Sequence, residues 1–479
     1  MKHIIKNFIC TALITGGIAG FSACSLVEVE NPNVTDESYL GTTQSAQIWL
    51  NGMYRQLALT LNETVHFSEI TSDNYYNNSS LSNKVFDIPT ILYTDLDVDN
   101  MQRAIGRLSQ MAEYGLNNVA PASRETTDSI KAEMNFLGGY AYLIGAELYS
   151  SLPISAGGPV ATSSERLNKA IGYFKAADAL QKNAAKKQQY ALALARAYYN
   201  LGDKTNAVAY ASGVMNSSPM LLLQARFDGV NGVSNIMQTY TFSSSTNTYA
   251  PLPRLDFLDP KYYHTGNAST DQKPVAILKG EEAFLIMAEA ALGNNNITES
   301  KAILKNLVNV VKQRPVASVD GKLALRKGNR SDYPLTAVNV KFDAESTAKG
   351  GYVLNRQAGN ITVYTVSGTS VTAGVIDAAT TADEVLYLLS LMRQEIFISE
   401  GRRTTDLGIR FPVSQVEQQN NPNVTSVHTT AVIPSYIPGQ LGLDDFTYDK
   451  TAGVVTIKND MNKILVRNKT AAGIFPLLK

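Results

Sequence analysis

The sequence predicts a mainly α-helical protein in which tetratricopeptide-like helix pairs form a scaffold for long irregular loops and a few short β-hairpins. Helices are predicted from apolar residues that recur at three- and four-residue spacing, first in residues 45–61. The helix pairs are predicted from residues 190–211, where Tyr198, a turn glycine at Gly202 and Ala207 occupy positions of the tetratricopeptide pattern. Because repeats of this kind stack, the segment indicates an array of helices that serves as a scaffold or binding surface.

The pattern extends to both sides of this segment. An earlier second helix is predicted around Ala170, which precedes Ala207 by 37 positions, close to the usual repeat of about 34 residues. A further pair is predicted at residues 281–292 and 297–311. Unrelated antiparallel helix pairs would produce a similar pattern and stay open as the alternative.

We expect residues 41–479 to form a single domain. Residues 69–93 break the helical pattern with a polar, asparagine-rich stretch and are predicted to be a long exposed loop. The other parts are paired helices at about 129–216 and 281–314, a loop and hairpin excursion rich in Gly, Ser and Thr at about 327–379, a helical segment at 383–407, and a loop-rich tail with one hairpin near 447–458.

The chain begins with an export signal. Two lysines precede an apolar stretch at residues 8–21, which is too short to span a bilayer and has the length of a signal-peptide core. Small residues then precede Cys24, as in a bacterial lipobox. We predict a lipoprotein signal peptide at residues 1–23, lipidation of Cys24, and an extended tether over residues 24–40.

The cysteine count supports this interpretation over an ordinary signal peptide followed by a chance cysteine. The sequence has two cysteines, and Cys10 lies in the segment that would be removed, so the mature chain has no internal disulfide. Glu28 and Glu30 resemble the acidic signal that directs some lipoproteins to the cell surface. We therefore expect a lipid-anchored, surface-exposed protein of the outer membrane.

Charge and motifs argue against several function classes. Lysine plus arginine and aspartate plus glutamate each number 42, so the chain lacks the basic surplus of nucleic-acid binders. Its histidines are scattered, and no zinc-protease, nucleophile-elbow, P-loop or dinucleotide-binding motif is present. Asp95, Asp97 and Asp99 alternate as in a calcium loop, but the glycine and glutamate that complete such a loop are missing. We predict no catalytic site, no metal and no cofactor.

Two segments carry a specific family resemblance. In residues 131–154, a helix with Phe-Leu, Ala-Tyr and a late aromatic is followed by a short turn and a proline. In residues 392–407, the order is similar to the motif Glu-Leu-x-x-Glu-Gly-x-Arg-x-x-Asp-Leu, with Thr405 where a bulky aromatic is usual, and the matching residues are Glu395, Glu400, Gly401, Arg403, Asp406 and Leu407. The sequence resembles the SusD/RagB family of outer-membrane nutrient-binding lipoproteins of Bacteroidetes.

The resemblance implies a function as well as a SusD-like fold. It implies a non-enzymatic protein that captures an oligosaccharide or peptide and delivers it to a SusC-like TonB-dependent transporter. It also implies that irregular loops, supported by the tetratricopeptide helices, contact the ligand. A surface tetratricopeptide scaffold that binds only protein partners is the alternative.

Ligand-binding residues are expected where aromatic rings and amides or carboxylates occur together, because sugars need stacking faces and hydrogen-bond partners. The first predicted group lies in residues 71–86 and comprises Asp73, Asn74, Tyr75, Tyr76, Asn77 and Phe86. The second group contains Tyr240 and Tyr249. A solvated loop whose tyrosines pack inward is the alternative. The one tryptophan, Trp49, lies on a predicted core face, which weakens the case for a starch-like ligand.

The 392–407 motif is predicted to be structural. Glu400 and Arg403 are three residues apart, as are Arg403 and Asp406, which is the spacing of side-chain pairs on a helix. We expect buried or half-buried ion pairs between these residues.

Overall fold

A computed structural model describes residues 40–77, 84–242, 248–258, 261–264, 267–323, 332–357, 359–439 and 443–479. The predicted signal peptide, Cys24 and the predicted tether up to residue 39 lie outside the described residues.

The described elements are mostly helices joined by short strand pairs. The α-helices are α1 (Ser45–Ile70), α2 (Lys84–Asp87), α3 (Leu96–Tyr114), α4 (Ala120–Ala122), α5 (Asp128–Leu148), α6 (Ser163–Leu180), α7 (Ala184–Leu201), α8 (Lys204–Ser217), α9 (Ile236–Thr241), α10 (Glu281–Gly293), α11 (Ile297–Lys312), α12 (Ala373–Ala378), α13 (Ala382–Phe397), α14 (Arg403–Asp406), α15 (Gln415–Asn420) and α16 (Met461–Arg467). The strands are β1 (Tyr75–Asn77), β2 (Ser151–Pro153), β3 (Val160–Thr162), β4 (Leu222–Ala225), β5 (Tyr249–Pro251), β6 (Val275–Lys279), β7 (Val316–Asp320), β8 (Asn339–Lys341), β9 (Asn360–Tyr364), β10 (Phe446–Asp449) and β11 (Val454–Ile457).

The paired helices stack in chain order. Helix α5 packs on α6, α6 on α7, α7 on α8, α8 on α10 and α10 on α11. Ala170, Ala207 and Ala211 are fully buried at these contacts, so the small side chains predicted from the repeat pattern let the helices approach closely. Gly202 ends α7 with a positive φ of 74°, a conformation that glycine adopts without strain.

Helix α1 is longer than the sequence predicts, because its second half is polar yet buried. The hydroxyl groups of Thr60 and Thr64 donate to backbone carbonyls one turn earlier. The Asn62 side chain donates to the carbonyl of Ser234 and accepts from the amide of Ile236. These polar groups are satisfied inside the protein, so α1 continues through residues that resemble a loop.

The strands form short pairs in place of a large sheet. Strands β10 and β11 form the hairpin predicted near residues 447–458, and β8 adds to β11 in parallel. In the 327–379 excursion, where residues 327–331 and 358 lie outside the described ranges, β9 pairs antiparallel with the distant β7. Across the described ranges, we find no helix that combines the length and apolar character of a bilayer-spanning segment.

Candidate ligand-binding site

Asp73 lies at the centre of a buried ion-pair cluster. Its carboxylate accepts from Arg403 at 2.6 Å to Nε and 3.0 Å to Nη2, and from Arg254 Nη2 at 3.2 Å. The side chains of all three residues are at most 1% exposed. Burial by itself raises the pKa of Asp73, but the two guanidinium groups outweigh it and hold that pKa below its usual value.

Amide side chains extend this cluster from Asp73 to Glu69. Gln394 Nε2 donates to Asp73 Oδ2 at 2.8 Å and to Asn74 Oδ1 at 2.9 Å. Asn74 Nδ2 in turn donates to Glu69 Oε2 at 2.8 Å. Burial raises the pKa of Glu69 to about 7, although the hydrogen bonds that Glu69 accepts from Asn74 and from the backbone of Gly401 lower it. The cluster thus joins the end of α1 to α13.

Gly401 brings the motif segment against α1. It has a positive φ of 71°, and a Cβ at this position would lie 3.1 Å from Cα of Val65. Its backbone amide donates to Glu69 Oε1 at 2.8 Å. Glycine alone tolerates both the positive φ and the close contact with the backbone of Val65.

The prediction that Glu400, Arg403 and Asp406 form ion pairs with one another is wrong, because the motif is not one continuous helix. Helix α13 ends at Phe397, positive φ values at Ser399 and Gly401 follow, and α14 begins at Arg403. Glu400 pairs instead with Lys261 and Lys279, each at 2.7 Å to Nζ. Asp406 pairs with Arg393 at 3.3 Å, and Arg403 pairs with Asp73.

The exposed ligand-binding loop predicted at residues 71–86 is also corrected. Within its described part, the predicted side chains are not exposed to solvent. Each is at most 9% exposed, and the residues are Asp73, Asn74, Tyr75, Tyr76, Asn77 and Phe86. The Tyr75 hydroxyl lies 2.7 Å from Ser399 Oγ, and Phe86 packs against Phe67 and Phe411. Internal partners thus take up the polar and aromatic groups that suggested a binding surface.

The structure brings the two predicted ligand groups together. Strand β1 pairs antiparallel with β5, so that Asn77 lies opposite Tyr249. Tyr249 is fully buried and its hydroxyl lies 3.2 Å from Nδ1 of His66, while the half-buried Tyr240 packs edge-on against both rings. Burial lowers the pKa of His66 to about 3. Tyr249 therefore belongs to the core, and of the eight predicted residues Tyr240 is the one that keeps appreciable solvent exposure.

An open cavity of about 470 Å³ lies elsewhere, between α1, α5, α7 and the β4–β6 pair. We call it the Tyr54 cavity. Its floor is apolar, with Leu57, Phe136 and Ile277 among the lining residues. Its polar and aromatic lining residues are Tyr54, Arg55, Glu133, Lys186, Gln189, Gln224, Arg226, Phe227 and Asp228. This volume lies in the range of about 300–1,000 Å³ that is common for small-molecule sites.

Glu133 organises the wall of the Tyr54 cavity. Its carboxylate accepts from the hydroxyls of Tyr54 and Tyr190 and pairs with Lys186 Nζ at 2.7 Å. Tyr54 is 39% exposed, so its ring is fixed at the hydroxyl end while solvent reaches part of its surface. Tyr54 falls at the three- and four-residue spacing of the apolar residues in 45–61, and that periodicity does not distinguish a ring that lines a cavity from one that fills the core.

Among the described residues, no three or more His, Cys, Asp or Glu side chains are grouped so that they could hold a metal ion. Asp95, the first carboxylate of the calcium-like run, caps the N-terminus of α3 by accepting from the amide of Asp97 at 2.9 Å. That capping role accounts for an acidic residue at this position.

Comparison with known proteins identifies the fold. No protein-family model matches the sequence, and no curated protein matches it. Among solved structures, a SusD superfamily protein from Bacteroides fragilis aligns over 81% of this chain and 100% of its own, with 13% identity and a TM-score of 0.52. A SusD superfamily protein from Bacteroides thetaiotaomicron aligns over 81% and 98%, with 14% identity and a TM-score of 0.52. This chain has the SusD fold.

The SusD fold confirms the predicted fold class of tetratricopeptide-like helices with short strand pairs. It also brings together the two segments that carried the resemblance. Thr405, which stands where a bulky aromatic is usual, donates from its hydroxyl to the carbonyl of Glu147 at 3.1 Å. Beside it, the amide of Phe411 donates to the carbonyl of Leu148 at 2.7 Å. At this level of identity, the likeness shows the fold alone.

Proposed function

We propose that this protein captures an oligosaccharide or peptide at the Tyr54 cavity, without chemical change, and delivers it to a SusC-like TonB-dependent transporter. The observation that carries the proposal is the cavity itself, which combines a partly exposed tyrosine ring with an apolar floor and a polar rim in a protein of the SusD fold. A structural neighbour from Bacteroides vulgatus is described as a candidate sugar-binding protein, with 13% identity and a TM-score of 0.52.

The chemistry of the cavity suits binding. A sugar ring stacks its apolar face on an aromatic ring, and its hydroxyls require donors and acceptors at the rim. Tyr54 offers the ring, and Gln189 and Gln224 offer amides that can both donate and accept. The carboxylate of Glu133 is held by two tyrosine hydroxyls and Lys186, which suits a fixed supporting role better than attack on a ligand.

Calorimetry with a panel of neutral oligosaccharides and short peptides tests the site. Tyr54→Ala should weaken binding of the ligand found by about thirtyfold or more, as is typical for an aromatic anchor. Tyr114→Ala is the matched control, because Tyr114 is equally exposed, at 38% against 39%, and lies outside the cavity. Its affinity should be that of the unmodified protein.

Three results would contradict the proposal. Full affinity in Tyr54→Ala would move the binding site away from this cavity, and product analysis that shows turnover of the ligand would make the protein an enzyme. Failure of every sugar and peptide to bind, together with capture of a protein partner, would favour the tetratricopeptide scaffold that binds only proteins.

The lipid anchor is a separate part of the proposal, supported by the lipobox-like sequence before Cys24. One chain of buried methylenes holds weakly, but several acyl chains on one cysteine hold a protein at a membrane. Cys24→Ala should therefore shift the protein from the outer-membrane fraction to the soluble fraction after a high-salt wash. Continued membrane association of the Cys24→Ala variant would refute lipidation at Cys24. Delivery is tested separately, by co-purification of the unmodified protein with a TonB-dependent transporter.

A further inference from the structure

A second, smaller cavity of about 250 Å³ lies between α3, the β2–β3 hairpin, α6 and α15. We call it the arginine cavity, because Arg103, Arg107 and Arg166 all line it. It shares no lining residue with the Tyr54 cavity. Its volume is below the usual range of small-molecule sites, so it suits one sugar-sized group and not an extended chain.

Arg166 sets this cavity apart. Its side chain is buried at 2% exposure, and within the described ranges no carboxylate lies within ion-pair distance of it. Every other arginine of those ranges that is at most 9% exposed has a carboxylate oxygen within 3.3 Å. A buried charge without a counter-charge is costly, so its presence calls for an explanation.

The contacts of Arg166 hold the guanidinium group in place without neutralising it. Nη1 donates to the carbonyl of Pro153 at 3.1 Å, the group lies 5.0 Å from the ring centroid of Tyr142, and buried Nε has no hydrogen-bond partner. Gly145 makes room for it, since a Cβ there would overlap Nη2. Burial lowers the pKa of Arg166 to about 10, as expected for a cation that lacks a compensating carboxylate.

The rest of the cavity indicates what kind of anion it takes. Arg107 is exposed at the rim and adds positive charge, whereas Arg103 is paired with Asp99 at 2.8 Å. The Glu417 carboxylate also lines the cavity, accepting from Gln102 Nε2 at 3.2 Å and from Asn421 Nδ2 at 2.9 Å. A carboxylate repels highly charged anions but accepts from hydroxyls. A group with one negative charge and several hydroxyls therefore fits better than a phosphate.

We propose that the arginine cavity binds the carboxylate of a hexuronate unit of an acidic glycan, with the guanidinium group of Arg166 as its counter-charge. A planar carboxylate matches the donor geometry of an arginine side chain. Gln110 and Glu417 stand at the rim, where sugar hydroxyls would find an amide and a carboxylate. The inference rests on the proposed nutrient-binding function and names a class of nutrient for it.

Calorimetry with digalacturonate, and with the neutral disaccharide galactobiose as its match, tests the inference. The unmodified protein should bind digalacturonate more tightly, and raising the salt concentration should weaken that binding. Arg166→Met should weaken it by about thirtyfold, the loss expected for a hydrogen bond to a charged group. Arg107→Gln should cause a smaller loss, and Arg124→Gln, an exposed arginine on the loop before α5, should cause none.

The controls separate this inference from the proposed function. Equal affinity for the two disaccharides, or digalacturonate binding that neither Arg166→Met nor Arg107→Gln weakens, would overturn the uronate site while leaving capture at the Tyr54 cavity untouched. A short peptide that competes for the site through its carboxyl terminus with greater affinity than digalacturonate would overturn the sugar assignment. If Arg166→Met does not fold, Arg107→Gln and the salt dependence still decide, because Arg107 lies at the exposed rim.

Discussion

Asp73→Ala removes the carboxylate that Arg254 and Arg403 share. The side chains of Asp73 and both arginines lie in the core, and Asp73 also accepts from Gln394. The alanine variant would leave two guanidinium groups buried beside an empty position. Loss of one partner from a buried ion pair typically costs about 3–5 kcal/mol, because the remaining charge keeps its desolvation penalty.

We place the loss for Asp73→Ala at the upper end of this range, since one carboxylate serves two cations. Asp73→Asn should be less harmful than alanine, because an amide oxygen can still accept from Arg403 while the charge is lost. The surface pair of Asp178 with Lys187, 3.2 Å apart and partly exposed, provides the control. Asp178→Ala should change the free energy of unfolding by less than about 1 kcal/mol.

Urea unfolding followed by circular dichroism measures these differences. The midpoint should fall strongly for Asp73→Ala, less for Asp73→Asn and hardly at all for Asp178→Ala, with an unchanged slope. An Asp73→Ala protein as stable as the Asp178→Ala control would refute the buried-cluster argument. Unchanged stability combined with lost ligand binding would return Asp73 to the role of a ligand contact.

Two further predictions follow from burial. Tyr75→Ala should lower the free energy of unfolding, measured in urea, by about 3–5 kcal/mol, as other large-to-small core substitutions do. A stable variant with weakened ligand binding would show instead that Tyr75 contacts the ligand at the surface. For His66, burial lowers the pKa from 6.5 to about 3, so the unfolded chain binds more protons between these values and stability falls as the pH drops below 6.5. His66→Phe should remove about 1.4 kcal/mol of the stability loss for each pH unit below 6.5. The urea midpoints of the two proteins, compared at several pH values between 3 and 6.5, measure this difference. Parallel pH profiles would argue against a neutral buried imidazole.

Sequence patterns predicted the helix pairs because the determinants are local. The Gly202 turn and the small residues Ala170 and Ala207 lie within one or two helices of their partners, so spacing alone reveals them. The partners of the buried ion pairs, by contrast, lie far apart in the sequence. Asp73 and Arg403 are separated by 330 positions, and nothing in the local sequence of either residue specifies the other.

The predicted ligand residues were misplaced for a related reason. A run of polar and aromatic residues looks solvent-exposed when its hydrogen-bond partners come from distant segments. Asn74 accepts from Gln394, which is 320 positions away, and the Tyr75 hydroxyl lies beside Ser399, 324 positions away. Burial of such residues becomes predictable only when the packing of α13 against the end of α1 is known.

Helix α1 links the buried cluster to the Tyr54 cavity. Its first half carries Tyr54, and its last turn carries Glu69, which accepts from the backbone amides of Glu400 and Gly401. The opposite wall comes from α5 and α7, whose Glu147 and Arg196 form a further buried pair. The rings and carboxylates around the cavity are therefore carried by helices that buried ion pairs hold in place. A ligand that enters the Tyr54 cavity meets side chains whose backbone is already fixed, so little ordering free energy opposes its capture.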